Sequence, residues 1–214
     1  MIKGVLFDMD GVLVDSEEFI CKAAVKMFEE KGITVHEDDF LPFVGAGEDR
    51  YIGGVAEKYG ISLDLKTAKK RTYEIYDEII QGNMEILPGV RDFIKKCRDF
   101  KLRIALATSA DETKMKANLN ATGLTLSLFD AAVSGLDVER KKPYPDIYVK
   151  AARLIGLSPE NCLVIEDAVN GVAAAKAAGA RCLAITSSFT RTQLHDADWF
   201  ADDLAHVPDD VFSW

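Results

Sequence analysis

Asp8 and Asp10 stand one residue apart in Val5-Leu6-Phe7-Asp8-Met9-Asp10-Gly11, where a short apolar run gives way to charge. In an extended segment residues i and i+2 point the same way, so both carboxylates can converge beyond the end of a strand. Carboxylates at that range repel unless a cation or a shared proton intervenes, and a divalent metal satisfies both. Further along, Ile104-Ala105-Leu106-Ala107 ends in Thr108-Ser109, and Leu163-Val164-Ile165 ends in Glu166-Asp167. Thr108 and Ser109 offer hydroxyls and backbone N–H groups just before a helix, a cradle for phosphoryl oxygens. Glu166 and Asp167 bring more acid to the edge that Asp8 and Asp10 already occupy, which requires a compensating cation. Oxygen ligands without histidine favour a hard ion, and Mg²⁺ is the natural candidate. Lys142, in Lys141-Lys142-Pro143-Tyr144-Pro145-Asp146, lies in a loop held extended by two prolines, where its ammonium can neutralise a phosphate and the carboxylate that attacks it.

Each group also has a plainer reading. Asp8 to Ser16 suits a polar turn with Asp15 or Ser16 capping the next helix, Thr108 and Ser109 suit a helix N-cap, and Lys142 suits a solvated basic patch. Separate caps do not explain why acid accumulates where like charges already sit.

The elements that position these groups alternate. Ile2 and Val5 to Phe7 read as a buried strand. After it come four helical patterns, from Glu17 to Gly32, about Glu37 to Phe43, Glu48 to Tyr59 and Leu65 to Ile80, with no β-branched run among them. They form an all-helical insertion of about 65 residues, enough for a small bundle. Asp15-Ser16 and Gly82-Asn83-Met84-Glu85 read as its linkers, placing a core at 1–15 and 84–214 and a helical domain at 16–83. From Val90 onward helices alternate with strands at Leu102–Thr108, Ala131–Ser134, Cys162–Ile165 and Arg181–Ile185, and a further short strand is expected at Trp199–Phe200. That alternation specifies an α/β fold, a doubly wound parallel sheet with helices on both faces.

Composition narrows the function. The 214 residues are 48% hydrophobic and 29% charged, ordinary for a globular protein, and the net charge of −9 disfavours nucleic acid or an anionic membrane as partner. No apolar run approaches the ~20 residues that span a bilayer, and no signal-peptide layout precedes the first strand, so the expected location is the cytoplasm. Cys21, Cys97, Cys162 and Cys182 are far apart, without a C-x-x-C or a nearby histidine pair, and are expected to be reduced.

Asp8-Met9-Asp10-Gly11, then Thr108, then Lys142-Pro143 with Pro145-Asp146, then Glu166-Asp167, resemble in order and spacing the four motifs of the haloacid dehalogenase superfamily. The helical insertion straight after the first motif resembles the branch that holds the β-phosphoglucomutase-like proteins and the phosphoglycolate phosphatases. The resemblance implies that Asp8 is the nucleophile and Asp10 the general acid and then base. It implies that Asp8, the Asp10 carbonyl and Asp167 hold Mg²⁺, with Glu166 bound directly or through water, and that Thr108, Ser109 and Lys142 bind the phosphoryl group. One departure is Lys141, which stands where the family usually has glycine and leaves a doubled lysine.

The resemblance further implies a phosphatase acting on a small phosphorylated metabolite, such as a sugar phosphate, through an aspartyl-phosphate. Dehalogenation lacks the second aspartate. A mutase is the alternative, but β-phosphoglucomutases place a histidine shortly after the first motif, where this chain reads Glu17-Glu18-Phe19-Ile20. A non-catalytic phospholigand- or protein-binding member would be expected to lose an acid or the lysine, and all are present. Substrate choice is expected from the insertion, with Gly45, Ala46, Gly47, Glu48 and Arg50 as candidates, although Arg50, Lys69, Lys70 and Arg71 also suit a solvated helix face. The expected assembly is a monomer.

Overall fold

The computed structural model describes residues 2–44 and 47–213. Among them are six strands, β1 (Gly4–Phe7), β2 (Arg103–Ala107), β3 (Ala131–Val133), β4 (Cys162–Glu166), β5 (Arg181–Ile185) and β6 (Trp199–Ala201). All pair in parallel, in the order β3-β2-β1-β4-β5-β6. Successive connections run outward from β1 on one side and from β4 on the other, so the switch point of the sheet lies between them, where such folds bind ligands.

Strand side chains alternate between two buried faces, as a sheet covered on both sides requires. Val5, Phe7, Ile104, Leu106, Leu163 and Ile165 pack with α4 (Val90–Asp99) and α5 (Glu112–Thr122). Leu6, Ala105, Ala107, Val164, Cys182 and Ala184 pack with α6 (Asp146–Leu154) and α7 (Val169–Ala177). Phe7 is fully buried and edge-on to Phe93 and Phe129, with centroids 6.0 and 6.2 Å away. Its truncation to alanine would cost about 3–5 kcal/mol. All four cysteines are free thiols.

After Asp10 the chain makes one tight turn, in which Leu13 and Val14 donate to the Met9 carbonyl and Gly11 donates to that of Val14. Val14 then bridges Ile86 in antiparallel fashion, so the two ends of the helical insertion meet. Three helices build that insertion, α1 (Glu17–Glu30), α2 (Glu48–Lys58) and α3 (Leu65–Ile80). The helix expected over residues 37–43 is instead two separate 3₁₀ turns, Glu37–Asp39 and Leu41–Phe43. Two local causes break it: the Asp39 carboxylate accepts from the His36 N–H and from Lys58 and Tyr59, and Pro42 has no N–H to donate. Among the described residues no helix is long and apolar enough to cross a membrane.

Candidate active site

Register carries the acids to one place. Phe7 stands opposite both Leu106 and Ile165, and the Asp8 N–H donates to the Ile165 carbonyl at 3.0 Å, so Asp8 leaves β1 where Glu166 ends β4. Asp8, Glu166 and Asp167 are all buried, and one carboxylate oxygen from each lies within 4.8 Å of the others. Lys142, on the loop before α6, reaches between them and donates to Asp8 Oδ1 at 2.7 Å and to Glu166 Oε1 at 2.6 Å. The doubled lysine is thereby resolved, since Lys141 instead extends its ammonium toward Gly47 in the insertion.

Glycine makes room for this cluster at two points. Gly11 has φ +76°, and a Cβ there would fall 1.9 Å from Asp167 Oδ2; a Cβ on Gly171 would fall 1.8 Å from Glu166 Oε1. Glu166 is further held by the Tyr148 hydroxyl and by the backbone N–H groups of Asp167 and Ala168. Thr108 is buried, accepts from the Ala110 N–H at 3.0 Å and donates its own N–H to Val133 on β3. It is not the cap of α5; Asp111 holds that position and pairs with Lys69.

Burial first, then the Glu166 and Asp10 carboxylates, push Asp8 up to about 7 against the pull of Lys142. Asp167 is raised well above the usual carboxylate range by burial and by Glu166 and Asp8. Burial works against the Lys142 ammonium, but Asp8 and Glu166 outweigh it and raise its pKa. One ammonium therefore faces three clustered carboxylates, and the donor set is all oxygen. Such a site fits a small divalent cation.

These groups line one cleft of about 360 Å³, with Asp10, Ser16, Thr108, Ser109 and Val44 on its wall. Wider grooves of about 700 and 980 Å³, along α6 and between α3 and α5, do not include Asp8 or Asp167. Asp10 is held through Oδ1, which accepts from Ser16 Oγ and from Asn118 Nδ2 at 3.3 Å and lies 3.3 Å from the Lys114 ammonium. Ser16, read as a possible helix cap, makes no side-chain cap bond and serves Asp10 instead.

The insertion residues divide. Gly45 and Ala46 lie outside the described residues. Gly47 is the N-cap of α2 with φ +84°, and Glu48 is buried beside Lys114. Arg50 lines neither cavity near Asp10; it pairs with Glu57 at 2.7 Å and lies over the Phe43 ring, as a solvated helix face implies. Arg71 likewise pairs with Glu30. Lys69 departs from that reading, because it is 19% exposed and bridges Asp49 of α2 and Asp111 at the head of α5, at 2.7 and 3.0 Å. Sequence reasoning passed over Lys114, Asn118, Tyr148 and Gly171. Lys114 and Asn118 carried a usable signal, being polar at i and i+4 next to the apolar positions Met115 and Leu119.

A sequence profile described as haloacid dehalogenase-like hydrolase matches residues 2–179. The chain is 43% identical over 211 residues to Protein SUPPRESSOR OF QUENCHING 1, chloroplastic, of Arabidopsis thaliana, covering 96% of this chain but only 20% of that much longer protein. It is 32% identical over 182 residues to the Phosphorylated carbohydrates phosphatase of Thermotoga maritima, covering 83% and 82% of the two chains. Among solved structures, CbbY from Rhodobacter sphaeroides in complex with xylulose-(1,5)bisphosphate superposes with a TM-score of 0.86 at 28% identity over 96% of each chain. With its strand order, its edge of acids and this match over most of its length, the chain belongs to the haloacid dehalogenase-like hydrolases.

Proposed function

We propose that the protein is a Mg²⁺-dependent phosphatase that hydrolyses a small phosphorylated carbohydrate or related metabolite through an aspartyl-phosphate. The observation that carries this reading is the set of three carboxylates within 4.8 Å with Lys142 bridging two of them. A relative named for phosphorylated carbohydrates and a structural neighbour holding a sugar bisphosphate support the substrate class.

In this reading Asp8, the Asp10 backbone carbonyl, Asp167 and Glu166, directly or through water, hold the ion. When bound it supplies charge neutralisation that lets an anionic nucleophile approach an anionic phosphate. Lys142, Thr108 and the N–H groups that follow it grip the phosphoryl oxygens. An Asp8 oxygen attacks phosphorus in line with the leaving alcohol; the O–P bond to Asp8 forms as the bond to the alcohol breaks, and protonated Asp10 gives its proton to the departing oxygen. Asp10, now a carboxylate, takes a proton from water, which attacks phosphorus and displaces Asp8. Ser16, Asn118 and Lys114 keep the Asp10 carboxylate in place for both steps. Residues 16–83 act as a cap on the core formed by 1–15 and 84–214, closing over the cleft to exclude bulk water.

The test is release of phosphate from p-nitrophenyl phosphate and from a panel of sugar phosphates, with and without Mg²⁺. Turnover that requires Mg²⁺ and falls about 10⁴-fold or more in Asp8→Asn supports the reading. Absence of turnover, or an Asp8→Asn variant as active as the parent, contradicts it.

A further inference from the structure

Asp10 is gripped by one oxygen. Ser16 Oγ, Asn118 Nδ2 and the Lys114 ammonium all converge on Oδ1, the last two at 3.3 Å each. Asn118 is fully buried, and both polar atoms of its carboxamide have partners. Nδ2 donates to Asp10 and, at 3.7 Å, to the sulfur of Met9, while Oδ1 accepts from the Tyr76 hydroxyl. Tyr76 belongs to α3 of the insertion, 42 residues away in sequence, and is itself wholly buried. Its hydroxyl also lies within reach of Ser16, and its ring lies 5.9 Å from the Lys114 ammonium. One insertion side chain therefore borders all three groups that hold Asp10.

A carboxamide has two ends, and only one suits a carboxylate. Turned over, Asn118 would set its oxygen against Asp10, acceptor facing acceptor, at a buried site where an unmet acceptor is costly. The Tyr76 O–H opposes that turn by claiming the oxygen as its own acceptor. Resting on the phosphatase reading above, we propose that Tyr76 is a positioning residue for Asp10, acting through Asn118: its hydroxyl keeps the Asn118 NH2 directed at Oδ1 and so fixes the rotation of the Asp10 carboxyl. With Oδ1 engaged by three donors, Oδ2 carries the proton of the first step. That proton passes to the alcohol oxygen as the alcohol's bond to phosphorus breaks, and Asp10 is left a carboxylate. A general acid works only while held within reach of the oxygen it protonates, so a carboxyl free to turn loses part of its advantage. The insertion thus contributes to bond breaking through a residue packed wholly inside the protein.

The test is the leaving-group dependence of kcat/KM in the full chain with Mg²⁺ present. This parameter covers the steps up to alcohol release and excludes the later attack of water. p-Nitrophenolate departs readily without a proton, phenolate less so and a sugar alkoxide hardly at all, so damage to the acid grows in that order. Tyr76→Phe should lower kcat/KM about tenfold or more for the sugar phosphate the parent hydrolyses best and by less than about twofold for p-nitrophenyl phosphate, with phenyl phosphate between them and the change chiefly in kcat. Asn118→Leu alone should show the same order, and Tyr76→Phe added to it should cost less than about twofold more. Tyr73→Phe removes another hydroxyl from the same helix, one that faces Glu48, and should stay within about twofold on all three esters. No fall, an equal fall on every ester, a matching fall in Tyr73→Phe, or additive effects with Asn118→Leu overturns the proposal and leaves the phosphatase reading standing. If the parent hydrolyses no ester, that reading fails, and the Asp10 carboxyl ¹³C resonance decides. A shift in Tyr76→Phe that disappears in the Asn118→Leu background upholds the positioning role; no shift, or one that persists there, rejects it.

Discussion

At the carboxyl edge of the sheet the Lys142 side chain is 7% exposed and lies between two buried carboxylates, whereas on the outer face of the insertion Arg50 is 53% exposed and pairs with a Glu57 that is 68% exposed. Both are ion pairs in the structure, but the physics differs. Water screens the outer pair, and such pairs contribute roughly 0–1 kcal/mol. The edge cluster has lost its water, so each charge there depends on its partner, and removing one leaves the rest uncompensated. The sheet holds the clustered acids and Lys142 on rigid, registered strand ends. The insertion carries mostly replaceable surface charge, apart from the buried Asp39 and from Glu48 and Lys69, which face the core.

The sharpest break of that contrast is Lys142→Ala. It should destabilise the metal-free protein by about 3–5 kcal/mol in urea unfolding, because two buried carboxylates lose their counter-charge. It should also lower phosphatase turnover about 10²–10³-fold. Gly171→Ala comes next, since the new methyl would occupy the space of the Glu166 carboxylate. A loss of about 1–3 kcal/mol is expected from the forced shift, together with a 10- to 100-fold fall in activity as a carboxylate of the proposed metal site is displaced. Arg50→Ala is the smallest: stability should change by less than about 1 kcal/mol and kcat/KM by less than about twofold. A large loss of activity in Arg50→Ala would show that the outer face of the insertion takes part in the site.

The edge was legible in the sequence because a parallel sheet turns a one-dimensional pattern into a place. Apolar runs that end in Asp8, Thr108 and Glu166 must end on the same side once the strands are parallel, and the register of Phe7 with Leu106 and Ile165 makes that alignment exact to the residue. What could not be read are contacts made across large sequence separations by residues with ordinary local roles. Lys69 reads as a surface lysine until α3 is laid against α5, and Lys114 reads as one more helix charge until Asp10 and Glu48 close around it. Tyr148 and Gly171 come from different elements and both approach the Glu166 carboxylate. Residues 37–43 misled for a local reason: their apolar spacing suits a helix, but Asp39 spends its carboxylate on His36, Lys58 and Tyr59, and Pro42 withholds a donor.

The most direct test of the account is calorimetric titration of Mg²⁺ into the protein and into Asp167→Asn, without phosphate present. Acids from the ends of β1 and β4 that share one ion predict a single site per chain in the parent and at least a tenfold weaker one in the variant. Equal affinity in the two proteins, or no binding in either, would contradict it.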